Sequence, residues 1–478
     1  MSIQSVSRLY TKYFPKWSKC RMAVYGEDAI KAFGELYLPR ASGMDDDDYK
    51  KYLARAQFFN ASGRTIDGLS GMLNRKPIIL NIPDGFEKYL DNVDGKGHSF
   101  NQFASMCAKD AMITGWGGVL VDMPQTENII SQKDFEENNL YAYMTFYKAE
   151  SIIKWKWQQN GRRQDLQYVI FKEPNEVDNA EYETELKFYY RVCELDEEGY
   201  YRQTLFNDRQ EIINQVYPSG KNGKFTFIPF SFLSSNTEPD EPMLNDLINV
   251  NLSHYRKSAD YENGLHWTGV PTPWSQGANP ETEIVNGVEV AKALKLGGST
   301  VVHLPSGASM HYLEFGGSGC SQLASAMQAD EDRMAILGAR IISQERKGVE
   351  AAETAKIHRA GENSLLAEFA INMSIIFKKL LYIYLVWSSG QDLEISNVDV
   401  QFNTDYEVST MNSAQLTALV ALWQSGGIAK RDLFDNLKEG EIVRANRDFD
   451  EMNSEIDEEQ IAKNAQYAAM QNVISEQS

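Results

Sequence analysis

Four consecutive aspartates, Asp45 to Asp48, come nearest in type and spacing to a metal site. Divalent cations such as Mg²⁺ prefer carboxylate oxygens, so one hypothesis is a metal-dependent nucleic-acid-processing enzyme of a phage or mobile element. The flanking sequence lacks the spaced oxygen ligands of a cation-binding loop. A helix is predicted to start near Tyr49, and acids in its first turn complement the helix dipole, so this electrostatic interpretation is favoured.

Motifs for other chemistry are incomplete. Gly220 to Lys224 approach a nucleotide-binding loop, but Phe225 follows where a Mg²⁺-binding hydroxyl is needed. The glycine cluster at 316–319 lacks the spacing of a dinucleotide-binding turn and is one residue short of a nucleophile elbow, so a flexible joint is expected there. Neither the six histidines nor the four cysteines have zinc-site spacing. These observations predict a protein that is not an enzyme and uses no metal or cofactor.

The charge balance excludes one class of nucleic-acid binder. The 478 residues carry 47 basic and 67 acidic side chains, for a formal net charge of -20. A protein whose whole surface grips nucleic acid needs the opposite balance. The same charge is compatible with a channel through which nucleic acid passes without adhering. The length favours two or three domains, and the N-terminus has no apolar region typical of secretory signals.

Proline placement divides the chain into two regions. All 14 prolines lie at or before Pro305, and the remainder is rich in helix-forming residues. The segment from Ser321 to Trp387 is predicted to be nearly continuous helix. Its breaks are Gly338, Gly348 and Gly361, where a helix that faces a moving partner would bend.

The N-terminal half is predicted to combine helices with an antiparallel sheet. A helix of about Phe100 to Ile113 leads into an apolar strand, Val119 to Met123. Between residues 141 and 232 the apolar period changes to two, and Asn160-Gly161 forms a strong hairpin signal. Interleaved acids favour an ordinary half-buried sheet over a base-stacking platform of Trp and Tyr side chains. The predicted fold class is α+β, helix-rich.

Two long helices are predicted on either side of a small insert. The first spans about 243–267 and is stopped by Gly269 and two prolines. The second is amphipathic and returns after short strands, with Asp330 interrupting its apolar stripe. Residues after Gly361 have core-helix spacing, and the apolar run Ile375 to Trp387 is interpreted as buried because it is too short to span a bilayer.

The order of these elements, together with four segments, resembles the portal proteins (head-to-tail connectors) of tailed bacteriophages, closest to a portal group catalogued as a domain of unknown function. The likeness covers an early helical segment, the outgoing helix and its exit, the returning helix with the residues after it, and the C-terminal helices. The segments are RAQFFNASGRTIDGLSGML (Arg55 to Leu73), SHYRKSADYENGLHWTGVPTPW (Ser253 to Trp274), LGARIISQERKGVEAAETAKIHRAGENSLLA (Leu337 to Ala367) and MNSAQLTALVALWQSGGIAKRDLFDNLKEGEI (Met411 to Ile442).

The resemblance implies the subdomains of a portal subunit that assembles into a ring. The wing would be 1–242, with the sheet at about 141–232, plus a return at 363–410. The stem helices would be 243–267 and 319–343, with the clip at 268–318 between them. The channel loop would be 344–362, and the crown with its acidic tail would be 411–478. The implied location is the portal vertex of the virion capsid, with assembly in the host cytoplasm. The implied assembly is a dodecamer that conducts double-stranded DNA during packaging and ejection.

The resemblance also implies partners and contact residues. The partners would be further copies of the chain, the terminase large subunit, head-tail adaptor or neck proteins, and capsid and scaffolding proteins, with no membrane. Arg346 and Lys347 would contact passing DNA, with Lys356, His358 and Arg359 as weaker candidates; surface salt bridges with Glu345, Glu350 and Glu353 are the alternative for all five. Gly348 and Gly361 would bracket most of the channel loop, and Gly338 would permit a kink in the stem.

Overall fold

The computed structural model describes most of the chain. The described residues are 2–124, 140–180, 183–220, 223–270, 272–277, 282–285, 288–291, 304–313, 318–338, 352–404, 406, 413–440, 442–444, 447–459 and 461. They form an α+β protein that divides into two compact units, residues 1–404 and 405–478.

The N-terminal region consists of five α-helices, four of which have a side-chain cap at the N-terminus. The Ser99 side chain accepts a hydrogen bond from the backbone N–H of Gln102, and Gly115 ends the same helix in the left-handed conformation at φ 69°. This helix and the strand after it confirm the prediction for that part of the chain. The helices are α1 (Arg8–Tyr25), α2 (Glu27–Ala32), α3 (Asp46–Arg55), α4 (Ala61–Leu73) and α5 (Phe100–Thr114), with short 3₁₀ turns at Gly34–Leu36 and Glu87–Tyr89.

The predicted antiparallel sheet is confirmed and has five strands in sequential order. They are β4 (Ile152–Asn160), β5 (Arg163–Ala180), β6 (Glu183–Leu195), β7 (Tyr201–Phe206) and β8 (Ile212–Val216), and every neighbouring pair is antiparallel. Gly161 and Gly199 occupy the β4–β5 and β6–β7 turns with φ 61° and 84°, which L side chains rarely adopt. The tryptophans of β4 pack into a core, as the half-buried-sheet interpretation expects.

A second, three-stranded sheet forms the other wall of that core. Trp116 stacks on Phe232 at 4.4 Å between ring centroids, and Tyr147 stacks on Phe171 at 3.8 Å. Its strands are β2 (Gly117–Asp122), β3 (Tyr143–Lys148) and β11 (Phe230–Phe232), in the order β11-β2-β3. The other described strands of the body form two short antiparallel pairs, β1 (Ile79–Asn81) with β16 (Asp399–Gln401) and β9 (Ser219–Gly220) with β10 (Gly223–Lys224).

A helical hairpin, α6 (Asn245–Gly269) and α7 (Ser318–Ile336), follows the sheets. At its distal end, β12 (Thr272–Gln276) pairs with β15 (Ser309–Leu313), and β13 (Thr282–Val285) pairs with β14 (Val288–Ala291). The returning helix therefore ends earlier than predicted. Gly338 lies in a turn after α7 at φ 134°, not within a continuing helix. A glycine with positive φ is common just after the end of an α-helix, so Gly338 follows the described end of the returning helix, and its role as a hinge stays a prediction.

The next helix, α8 (Ala352–Ser389), starts within the predicted channel loop. Residues 352–362 of the predicted loop are helical, and Gly361 lies inside the helix. A single glycine costs only about 1 kcal/mol relative to alanine in a helix, and the good helix formers around it outweigh that cost. Arg346, Lys347 and Gly348 lie outside the described residues.

The C-terminal part of α8 is a core helix, as predicted. Phe377 contacts Phe100 edge-on at 5.9 Å between centroids, and the Tyr384 hydroxyl donates to the Tyr89 carbonyl at 2.7 Å. The run Ile375 to Trp387 is part of a longer helix segment, Leu365–Ser389, which is long and apolar enough to cross a membrane by length and composition alone. Eleven of its side chains, including those two, are buried, which is the arrangement of a core helix.

The C-terminal unit contains α9 (Ser413–Gln424) and α10 (Lys430–Glu439), both predicted from the sequence. Gly426 lies in the turn between them at φ 81°. Residues 449–459 are also helical, so the described part of the acidic tail is an exposed helix. The Arg447 guanidinium pairs with the Glu455 carboxylate along it.

Candidate functional site: the helical hairpin and its distal strands

Helices α6 and α7 pack against each other as a hairpin between the sheets and the distal strands. Its helices have 25 and 19 residues, or about 37 and 28 Å at 1.5 Å per residue. They are antiparallel: Leu247 of α6 clusters with Met334 of α7 near one end, whereas Gly264 approaches Cys320 near the other. We call residues 245–259 and 330–336 the proximal half, and 260–269 and 318–329 the distal half.

The proximal half is held by hydrogen bonds to the N-terminal helices. The buried Asn251 side chain accepts from the Ser62 hydroxyl at 2.8 Å and donates to the Phe59 carbonyl at 2.7 Å. Ser258 donates to the Gln57 carbonyl at 2.6 Å. Because these buried polar groups are satisfied in one geometry, sliding or rotating α6 would leave them unpaired, at about 1–3 kcal/mol each.

A buried ion pair joins the two helices. Lys257 Nζ lies 2.6 Å from Asp330 Oδ2, and the Asp330 side chain is only 2% exposed. Arg333 Nη1 is 3.6 Å from the other carboxylate oxygen but is 68% exposed, so solvent screens this second contact. Asp330, which interrupts the apolar stripe of α7, therefore pairs with Lys257 of α6. Removing one partner of such a pair leaves an uncompensated buried charge.

His254 lies beside this ion pair on α6. Its ring packs against Phe59 at 5.8 Å between centroids, and its Nε2 is 3.6 Å from Glu331 Oε1. Burial lowers the pKa of His254, while the Glu331 carboxylate opposes that shift. Because the ring nitrogens have no hydrogen-bond partner among the described residues and burial disfavours the cation, the imidazole is neutral near pH 7.

The distal half is more exposed than the proximal half, although Asp260 and Asn263 at its start still accept hydrogen bonds from Tyr52 and Arg55 of α3. A Cβ on Gly264 would lie 2.9 Å from Cys320 Sγ, so this glycine permits the close approach of the two helices. Beyond that point Leu265 is 40% exposed and Trp267 52% exposed. Trp274 on β12 is also exposed. An exposed aromatic surface on an otherwise acidic protein is typical of a protein-interaction site.

The structure describes only part of the predicted DNA-contact set. Arg346 and Lys347 lie outside the described residues, whereas Lys356, His358 and Arg359 lie on the N-terminal part of α8. Gly338 lies where the hairpin returns to the body, and a Cβ there would lie 3.6 Å from Thr65 Cγ2.

The aspartate run is a helix cap. Asp45 accepts hydrogen bonds from the backbone N–H groups of Asp47 and Asp48, both at 2.9 Å, and these bonds lower the pKa of Asp45. This observation confirms the helix-terminus interpretation. Among the described residues, no group of three or more His, Cys, Asp and Glu side chains is arranged to hold a metal ion.

The four cysteines are free thiols, and three of them are buried. Cys20, Cys107 and Cys193 are buried free thiols, and Cys320 is partly exposed. Burial raises the pKa of Cys20 to about 12 and that of Cys193 to about 12. Thiols with such a raised pKa are unreactive near neutral pH.

Sequence reasoning missed Asn251, His254 and Lys257 as anchoring residues. The available signal was the placement of these polar residues among the apolar positions of α6, such as Ile248, Leu252 and Tyr255, which are all buried. A polar residue on the buried face of a helix requires a partner, but the periodicity does not identify that partner.

One comparison with known proteins maps onto this region. A family model described as "Domain of unknown function (DUF4055)" matches residues 242–388, which start just before α6 and end within α8. A search of curated proteins found no match.

Solved structures with some similarity are chains of gene transfer agent (GTA) particles. One comes from "Neck of native GTA particle computed with C12 symmetry", with 10% identity, 77% of this chain and 86% of that chain covered, and a TM-score of 0.35. Another comes from "Virion of native gene transfer agent (GTA) particle", with 11% identity, coverages of 85% and 95%, and a TM-score of 0.34. A third comes from "Neck of empty GTA particle computed with C6 symmetry", with 10% identity, coverages of 77% and 86%, and a TM-score of 0.36.

Proposed function

We propose that this chain is a structural, non-enzymatic component of the head-tail junction of a phage or phage-like particle, and specifically its portal subunit. The observation that carries the proposal is the hairpin of α6 and α7, anchored in the body at its proximal half and exposed with short strands at its distal half. This order of parts is the one that the resemblance to portal proteins implies for stem and clip.

The proposed mechanism is a ring of identical subunits, a dodecamer in the virion, with the stem hairpins around an axial channel. A ring of this kind uses head-to-tail contacts between different faces of neighbouring copies. The net charge of -20 repels the phosphate backbone, so DNA would move without adhering. The exposed distal strands would dock the terminase large subunit during packaging and neck proteins afterwards, at the portal vertex.

Within that ring, Arg346 and Lys347 are proposed to hold DNA on the channel axis, and Lys356, His358 and Arg359 to add weaker contacts. Cationic side chains in an acidic channel attract phosphate locally without sequence preference. Gly348 remains the proposed hinge of the loop. The helix of α8 starts before Gly361, so a loop that moves would be shorter than 344–362.

Imaging of the purified full-length chain tests the ring. Native mass spectrometry and negative-stain electron microscopy should detect a closed ring with an axial hole. A monomer with metal-dependent nuclease activity would contradict the portal and favour the enzyme hypothesis. Absence of a ring from both purified protein and particles would also contradict it.

Alanine substitution tests the DNA contact. Arg346→Ala with Lys347→Ala should reduce packaged DNA or its retention by about tenfold if both cations contact phosphate, and the loss should depend on ionic strength. Lys50→Ala with Lys96→Ala removes two exposed cations elsewhere and is the matched control. Unchanged packaging and retention in the first variant would refute the assignment.

A further inference from the structure

The longest hairpin of the five-stranded sheet extends past its neighbours. β4 pairs with β5 only up to Phe171, and β7 pairs with β6 only from Tyr190 onward. Beyond these points β5 and β6 continue together as far as Ala180 and Glu183. We call residues 172–180 and 183–189 the acidic ribbon. It projects about 30 Å at 3.3 Å per residue, and a two-stranded ribbon is marginally stable in water without a packing partner.

The base of the acidic ribbon is fixed by a partly buried ionic network. Arg191 Nε lies 2.6 Å from Glu173 Oε1 on the neighbouring strand, and Nη2 lies 3.2 Å from Oε2. The Tyr147 hydroxyl donates to the same Glu173 carboxylate at 2.5 Å, and Arg191 Nη1 donates to Gln203 at 3.0 Å. This bidentate pairing holds the ribbon in one direction.

One face of the ribbon combines exposed apolar and acidic side chains. Register pairs Pro174 with Phe188 and Glu176 with Leu186, so all four share a face. Leu186 is 57% and Phe188 36% exposed, and Lys172 Nζ covers the Phe188 ring at 3.9 Å. Residues 172–189 contain six acids and two bases, and Lys187 is paired with Glu185 at 3.3 Å.

The opposite end of β5 has the opposite charge. We call Arg162 and Arg163, together with the exposed Lys156 of β4, the basic turn. In the part of the chain that the structure describes, neither arginine has an ion-pair partner within 4.0 Å, and the nearby Asp165 accepts from Asn160 at 3.2 Å. β5 has 18 residues, so its two ends lie about 55 Å apart at 3.3 Å per residue. The rigid ladder prevents one chain from joining its own ends.

We infer that the acidic ribbon of one chain docks on the basic turn of a second copy of this chain. The two surfaces are complementary in charge and lie at opposite ends of one strand, so the contact is head-to-tail and repeats from copy to copy. The exposed Leu186 and Phe188 become covered in this contact. The inference rests on the proposed function in one respect: the particle must contain several copies of this chain in contact with one another. It adds which residues would join neighbouring copies.

Charge reversal of each end tests the contact on the full-length chain. The ribbon variant carries Glu176→Lys and Glu183→Lys, and the turn variant carries Arg162→Glu and Arg163→Glu. Like charges then face each other, so each variant alone should self-associate about 100-fold more weakly than wild type. Sedimentation velocity and mass photometry at low ionic strength measure this, and Asp84→Lys with Asp91→Lys is the matched control at exposed acids outside the sheet.

Two complementation arms exclude misfolding as the cause. An equimolar mixture of the ribbon and turn variants should assemble, because each contact then joins opposite charges. One chain with all four substitutions should assemble alone. Three results would overturn the inference: either variant alone assembles as well as the wild type does, both complementation arms fail, or the wild-type chain is monomeric.

The outcomes also separate this contact from the proposed portal. A closed ring in which both reversed variants still assemble overturns the ribbon contact but leaves the portal standing. Charge-dependent assembly of open filaments without an axial hole supports the ribbon contact and contradicts the portal.

Discussion

The proximal and distal halves of the hairpin belong to the same two helices but have different surroundings. In the proximal half Ile248 and Tyr255 are fully buried, whereas in the distal half Leu265 is 40% and Trp267 52% exposed. The helical backbone of α6 is continuous across this change. One rigid element is therefore part of the core at one end and an accessible surface at the other, so the body can set the direction of a surface that a partner binds.

Truncation of one aromatic residue in each half gives the largest expected difference. Tyr255→Ala opens a cavity in the core and should lower the free energy of unfolding by about 3–5 kcal/mol. Trp267→Ala removes a half-exposed ring and should cost less than about 1 kcal/mol. Urea denaturation measures both.

Tyr255→Phe is the control for the aromatic pair. It retains the ring and removes a buried hydroxyl that has no partner among the described protein groups, so it should stay within about 1 kcal/mol of wild type. Equal destabilisation by Tyr255→Ala and Trp267→Ala would show that the two halves are packed alike.

Removal of Lys257, the partly exposed cation that pairs with the buried Asp330, should have the next largest effect. Lys257→Ala strands the Asp330 carboxylate, and we expect a loss of about 3 kcal/mol in the free energy of unfolding. Arg333→Ala, at an exposed position on the same carboxylate, should cost less than about 0.5 kcal/mol. Thermal and urea denaturation provide the comparison.

A double substitution sharpens the test of the ion pair. Lys257→Met with Asp330→Leu replaces both charges by apolar side chains and should recover most of the loss. If the double variant were as unstable as Lys257→Ala, packing around Lys257 rather than the stranded charge would explain the effect.

The smallest expected effect is a pH dependence of the free energy of unfolding that arises from His254 in the proximal half. Burial lowers the pKa of His254 in the folded protein, so below about pH 6.5 the unfolded chain takes up a proton that the folded chain does not. The free energy of unfolding should therefore fall as the pH decreases from 7.5 to 5.5, and His254 should account for part of that fall.

Melting temperatures across this pH range measure the effect. His254→Leu should flatten the slope, and His266→Leu is the matched control at an exposed position of the same helix. A slope unchanged by His254→Leu would show that other groups cause the pH dependence.

Much of the fold was predictable because the signals are local. The capped helix before Gly115, the antiparallel strands with turns at Gly161 and Gly199, and the core helix after Gly361 each follow from residue spacing and turn chemistry within a short window. The errors also have local causes. Glycine at 361 suggested an interruption, but the flanking residues sustain the helix through it.

The candidate site was less predictable. Asp330 was recognised as an interruption of an apolar stripe, yet its partner Lys257 lies on another helix. The acidic ribbon was predicted as ordinary sheet, because alternation in a strand does not reveal whether its neighbours extend as far as it does. The lengths of β4 and β7 decide that point.

By itself the sequence determined most helices, strands and turns, since these depend on residue types within a short stretch of chain. It also determined the acidic character of the protein, which follows from composition. Only the tertiary structure decided which polar residues became anchors. Ser62 and Asn251 hydrogen-bond across 189 positions, and Tyr52 bonds Asp260 across 208. No local pattern specifies such pairs, because their energy comes from burial that exists only once the helices have packed together.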